Sequence, residues 1–161
     1  AAGAGRAAPG ASIVVCYADA SGRWPSRGFF RSVSGLSRAP EEAYAAAAAQ
    51  SDLRLGDAHL IPCHVADDSG RVADGGASTW AVCVLVVLAR PRGARPGAPP
   101  ALDPSALALA LPKLAAAAAQ QGASVHSPRV QVGPDWYALE RSLKKHLLPR
   151  GVPTTVYYYR R

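Results

Sequence analysis

The chain has 161 residues and a formal charge of +7, long enough for one domain with its own hydrophobic core. Apolar residues make up 49% of it, but alanine supplies many of these and aromatics only 7%, so a few Val- and Leu-rich strands must build the core. No uncharged apolar run reaches the roughly 18 residues that a membrane-spanning helix needs, and the basic balance favours polyanionic partners.

Residues 1 to 11, AAGAGRAAPGA, lack the long apolar stretch of a signal peptide and read as a flexible lead-in or a truncated edge. Ser12 to Ala18 (SIVVCYA) is short and β-branched, a buried strand. It runs into the Gly/Ser/Pro-rich loop DASGRWPSRG, and FFRSVSGLS then suggests a short helix with Phe29, Phe30 and Val33 on one face. APEEAYAAAAAQ predicts a second helix, with Pro40 suited to the first turn and Glu41 and Glu42 to the positive end of the dipole. Ala58 to Val65 and Thr79 to Leu88 read as strands flanking the turn-rich DDSGRVADGGAS. ARPRGARPGAPP is the most linker-like piece, so residues 89 to 104 are expected to be a mobile Pro/Gly/Arg loop.

A helix from Ser105 to Gln121 follows, with Gly122 as its C-cap. Next come a strand at SVH, the loop PRVQVGP, a helix from about Pro134 to Leu148, and a closing strand at TTVYYY. In the last helix Trp136, Leu139, Leu143 and Leu147 recur at three- and four-residue steps and read as core. Glu140, Arg141, Lys144 and Lys145 lie off that stripe. The order β-α-α-β-β-α-β-α-β predicts an α/β fold with a mixed sheet covered on both faces.

Cys16, Cys63 and Cys83 sit in apolar strand-like runs without metal-type spacing, which reads as buried reduced thiols of an intracellular protein. The four histidines show no metal-ligand spacing, and His126 reads as a satisfied structural residue. Asp67 and Asp68 are adjacent in a turn and diverge. No nucleophile elbow and no Walker loop are present, so catalysis has little support.

In an open α/β sheet, ligands bind outside the carboxyl ends of strands. DASGRWPSRGFF and PRVQVGPDW both occupy such positions, and both offer glycine and a helix start to an anion. Each also serves as a simple connection. Alternation along VYYY sends Tyr157 and Tyr159 to one face and Tyr158 to the other, either to stack on a base or to pack.

Residues 123 to 161 resemble the macrodomain of poly(ADP-ribose)-activated, Snf2-type chromatin remodellers, the chromodomain-helicase-DNA-binding-protein-1-like family. The likeness rests on V-H-x-P-R, W-Y-x-x-E-R, K-H-L and R-G-[IV]-P-T before an aromatic strand. VVCYADASGRWPSRGFF resembles that family's first ligand loop, with D-x-S-G-x-W before R-G and an aromatic. The likeness covers about residues 12 to 161. It implies a three-layer α/β/α macrodomain that binds ADP-ribose, free, terminal in a chain or attached to protein, with no other cofactor and no metal.

Under this resemblance the amides of Val130, Gln131, Val132 and Gly133 hold the diphosphate, with Pro128, Arg129 and Asp135 flanking them. Asp19, Ser21, Gly22, Arg27, Gly28 and Phe29 form the loop that closes over the distal ribose, and Tyr159 stacks on adenine. Arg141, Lys144 and Lys145 form a face that docks on the ATPase motor of a nuclear parent chain acting in the DNA damage response. The resemblance implies a monomer with nucleosome proximity and no membrane.

Three departures stand out. The family's adenine-recognising acid follows an earlier strand; here Ala4 stands near its place and that strand is absent. Either adenine recognition is altered or the chain starts inside the domain. The PRVQVGPDW loop is a few residues shorter than its relatives' loop. The hydrolytic branch uses a lysine near the position of Pro62 and Cys63, where this chain has none. Asp135 is then an acid without a nucleophilic partner, and the expectation is binding without turnover. The alternatives are an ADP-ribosyl hydrolase working through Asp135 and a ligand-free protein-interaction domain.

Overall fold

The computed structural model describes residues 11–64, 80–129 and 136–158. Its elements are β1 (Ser12–Asp19), α1 (Gly28–Leu36), α2 (Ala39–Ala49), β2 (Ala58–Cys63), β3 (Trp80–Ala89), β4 (Ala101–Leu102), α3 (Pro104–Gln121), β5 (Ser124–Pro128), α4 (Trp136–Leu147) and β6 (Thr154–Tyr157), with a 3-10 turn at Leu148–Arg150. The strands form one mixed sheet in the order β2-β3-β1-β5-β6, with β4 on the end of β3. β1 pairs in parallel with β3 and β5, and β5 with β6; β2 and β4 run antiparallel to β3.

The two-residue period of β1 divides the core. Ile13, Val15 and Tyr17 face a layer in which Leu111 and Leu114 of α3 meet Leu139, Leu143 and Leu147 of α4. Cys16 and Ala18 face the opposite layer with Val82, Val84, Val33 of α1 and Tyr44 of α2. The predicted three-layer α/β/α arrangement is therefore present. The expected core stripe of α4 is buried at all four positions.

Helix signals behaved as their chemistry dictates. Asp103 caps α3 through a 3.0 Å bond accepted from the Ala106 amide, and Gly122 closes it in the left-handed conformation at φ +60°. Pro112 lies inside α3 on its exposed face, one turn after the exposed Ala108, so the carbonyl left without an amide partner is on the water side.

Several boundaries differ from the sequence reading: β2 ends at Cys63, β5 runs on to Pro128, and α4 ends at Leu147. Stretch 89–104 holds two turns, closed by Ala94 N–H to Pro91 and Ala98 N–H to Arg95, and then β4 pairs with Leu88 and Ala89. A two-residue strand has no alternation to read, so composition hid it. β6 ends at Tyr157, one residue before Tyr158. Val65, Thr79, Pro134 and Tyr159, at the ends of other predicted elements, lie outside the described residues.

Cys16, Cys63 and Cys83 are buried reduced thiols. Burial pushes the Cys16 and Cys83 thiols from 9.0 up to about 12, with the neighbouring thiols adding to the shift at Cys16. Unfolded, these thiols ionise first as pH rises, so their contribution to stability is whole below pH 9.0 and is lost toward about 12. The urea midpoint should stay level near neutrality and fall across that alkaline window. A thiol reagent near pH 8 should label none of the three until denaturant is added; rapid labelling of the folded protein would contradict their burial.

Candidate ligand-binding cleft

The layer of α1 and α2 packs on β1, β3 and β2 and leaves the β5–β6 side of that face open. A cleft of about 890 Å³ occupies the gap. Ser12 and Val14 of β1 and His126 and Pro128 of β5 form its floor, and Gly28, Phe29 and Ser32 of α1 form one wall. Arg129, Tyr157 and Tyr158 form the other. Register explains the floor: Val14 pairs with His126, and Pro128 with Tyr157.

The α1 wall begins at Gly28, at φ +64°, and Arg27 at the N-cap supplies no side-chain hydrogen bond. The first amides of the helix are thus uncapped at the positive end of its dipole. His126 is held at both ring nitrogens: Nε2 is 2.8 Å from the Ser124 hydroxyl and Nδ1 2.7 Å from the Tyr157 hydroxyl. Its ring also stacks on Tyr157 at 5.7 Å.

The beginning of the first loop is engaged elsewhere. The Asp19 carboxylate accepts bonds from the Ser21 amide and hydroxyl at 3.1 and 2.7 Å. The Tyr44 hydroxyl lies 2.7 Å from the Asp19 carbonyl and 3.0 Å from its carboxylate, and accepts from the Gly22 amide at 3.2 Å. Burial, with the Asp19 charge adding to it against the opposing Ser21 bond, holds the Tyr44 phenol above its ordinary value. Trp24 completes the attachment: its Nε1 donates to the Ser34 hydroxyl at 2.9 Å, and its ring meets Phe30 edge-on at 4.9 Å.

The structure therefore brings together Gly28, Phe29, Pro128 and Arg129 of the sequence-derived set, with exposed Arg27 at the N-cap beside them. Asp19, Ser21 and Gly22 do not line this cleft; Asp19 and Ser21 border a separate hollow of about 610 Å³ with Arg23 and Arg90. Val130, Gln131, Val132, Gly133, Asp135 and Tyr159 lie outside the described residues. Arg141, Lys144 and Lys145 are exposed on α4, Lys144 being 3.7 Å from Glu140. His126 and Tyr157, read as a structural histidine and a packing or stacking tyrosine, line the cleft. The alternation that puts His126 and Pro128 on one face was the available signal.

Two glycines test the loop. Gly22 (φ +80°) and Gly28 (φ +64°) both take a backbone conformation costly for other residues, but a Cβ on Gly22 would stand 2.5 Å from the Ala48 Cβ, while one on Gly28 meets nothing within 4 Å. Gly28→Ala should cost about 1 kcal/mol in urea denaturation, the left-handed backbone alone. Gly22→Ala should cost clearly more; equal losses would mean that the loop does not press on α2.

No family model matches the chain. It is 36% identical over 153 residues to chromodomain-helicase-DNA-binding protein 1-like of Mus musculus and 34% identical over 153 residues to that of Danio rerio. The matches cover 93% of this chain but span only 16% and 14% of those relatives. Among solved structures, a protein from Bacteroides thetaiotaomicron has a TM-score of 0.74 at 22% identity, covering 94% of this chain and 92% of its own. A macrodomain protein from Streptomyces coelicolor has a TM-score of 0.72 at 25% identity, covering 96% and 92%. Thermosipho africanus DarTG in complex with ADP-ribose has a TM-score of 0.68 at 12% identity, covering 94% and 39%. Sheet order, layering and sequence likeness lead to one conclusion: the chain has the macrodomain fold, and 93% of it is similar to a part of chromodomain-helicase-DNA-binding protein 1-like.

Proposed function

We propose that this macrodomain binds ADP-ribose, free, at the end of a polymer or attached to protein, and does not turn it over. The cleft carries the reading. It lies where β5 and β6 end, one wall offers uncapped helix amides to an anion, and the other offers tyrosine rings to a base. The DarTG structure, which shares the fold, is a complex with ADP-ribose. In this reading Val130 to Gly133 supply amides to the diphosphate and Tyr159 stacks on adenine, while Gly28 and Phe29 lie against the distal ribose.

The expectation of binding without turnover rests on the sequence, which has no lysine near Pro62 and Cys63 to pair with Asp135. Among the described residues that border the cleft there is no carboxylate and no lysine.

In the parent protein the domain is a regulatory module of a nuclear ATP-dependent remodeller. Arg141, Lys144 and Lys145 dock on the motor until ADP-ribose polymer competes. The relatives' names support this assignment.

Calorimetric titration with ADP-ribose and with oligo(ADP-ribose) should give saturable binding; silence with both ligands overturns the reading. Tyr159→Ala should weaken ADP-ribose binding about tenfold through loss of stacking. The purified domain should release no ADP-ribose from modified protein, whereas release that disappears in Asp135→Asn would make it a hydrolase. In the full-length protein, Arg141→Glu with Lys145→Glu should raise ATPase activity in the absence of polymer.

A further inference from the structure

Arg129 follows the last residue of β5, and its amide donates to the Tyr157 carbonyl at 2.9 Å, which sets its backbone beside the end of β6. Its guanidinium carbon lies 5.0 Å from the ring centroid of Tyr158 and 5.8 Å from that of Tyr137. Tyr137 belongs to the first turn of α4 and Tyr158 follows β6, so two separate elements hold one side chain. Both rings are themselves largely exposed, at 63% and 57%. Burial of the rings therefore does not account for the cluster.

Among the described residues no carboxylate takes up the charge of this group. A guanidinium is cationic at every working pH and carries five N–H donors in one plane. Ring faces attract its charge but accept none of those hydrogens in the way an oxygen does. Among the described residues the ion pairs are those of Arg38, His59, Lys113 and Lys144, and none involves Arg129. Among the described residues no carboxylate borders the cleft, and Arg129 is the one arginine or lysine on its lining. A cation fixed on a concave wall concentrates field on whatever enters. The uncapped amides of α1 on the facing wall carry the same sign.

We propose that Arg129, pre-positioned by Tyr137 and Tyr158, is a phosphate-binding residue of the cleft, taking phosphate oxygens of the ligand on its free N–H edge. This rests on the reading of the cleft as a nucleotide site and adds to it a side-chain anchor outside the main-chain loop. Carboxylates suit the same edge, but the aromatic wall beside it fits a nucleotide, so a phosphate is the expected occupant. Lysine is a poor substitute, because it lacks the planar fork. Tyr137 does not line the cleft and is a positioning residue: it acts through Arg129 alone.

The test titrates ADP-ribose, adenosine and inorganic pyrophosphate into the wild-type domain and into Arg129→Ala, Arg129→Lys, Tyr137→Leu and the double variant Arg129→Ala/Tyr137→Leu, each first checked for an unchanged thermal midpoint. Arg129→Ala should weaken ADP-ribose and pyrophosphate about tenfold or more and leave adenosine within about twofold. Arg129→Lys should recover little. Tyr137→Leu should weaken the phosphate ligands about threefold in the wild-type background and not at all when Arg129 is already alanine. Wild-type binding of ADP-ribose that Arg129→Ala leaves unchanged overturns this proposal and spares the reading of the cleft. Pyrophosphate binding lost in Arg129→Ala, with ADP-ribose never bound by the wild type, keeps the anchor and overturns the reading. Absence of binding to all three ligands overturns both.

Discussion

The unequal covering of the two faces of the sheet is the constraint on which the rest of the molecule depends. On one face α3 and α4 reach across from β3 to β6, burying Leu85, Val125 and Val156 under their leucines. On the other face the short α1 and the alanine-rich α2 cover the β1–β3–β2 side and stop. The face of β5 and β6 on that side keeps His126, Pro128 and Tyr157, which are polar or amphipathic residues able to stand at a water boundary. A fully packed sheet would have no such opening. The cleft is therefore the unfilled remainder of a helical layer, bounded by whichever groups happen to end there, and those groups are helix amides, a cation and tyrosine rings.

The first loop shows how that geometry is kept. Its opening residues bind inward: the Asp19 carboxylate ties down Ser21, Tyr44 ties Asp19 and Gly22 to α2, and Trp24 ties the following turn to α1 through Ser34, whose hydroxyl reaches Glu41 at 3.1 Å. Only from Gly28 onward does the chain line the cleft. A motif of the form D-x-S-G-x-W thus works as the anchor of this loop in its described contacts, and the G-F that follows it as the part presented to the cleft. Gly22 and Gly28 divide the same way, the first pressed on Ala48 and the second open to space. Anchoring matters to affinity because a loop already ordered does not lose conformational freedom when a ligand arrives.

Much of the fold was legible because its signals are local. Short β-branched runs, proline and glutamate at helix starts, glycine at helix ends and the leucine steps of α4 each act within a few residues, and each element they indicate is present. β4 was missed because two residues carry no period, and it exists only by pairing with Leu88 and Ala89. The candidate site was legible in part. Gly28, Phe29, Pro128 and Arg129 stand at the ends of elements where an α/β sheet receives ligands, and the cleft brings them together. His126 and Tyr157 were harder to assign, because a satisfied histidine and a cleft-lining histidine look alike along a chain, and here one residue is both.

By itself, then, the sequence determined the order of strands and helices, the two-sided character of β1, and a family likeness strong enough to name the fold. The first two follow from periodicity and capping, which neighbouring residues settle among themselves, and the likeness rests on matching motifs. Tertiary structure alone decided which face stays uncovered, that Tyr44 draws Asp19 and Gly22 away from the cleft, and that Arg129 meets Tyr137 and Tyr158. Those outcomes depend on strand register and on how far a helix reaches over a sheet, and residues distant in the chain set both only once the core has closed.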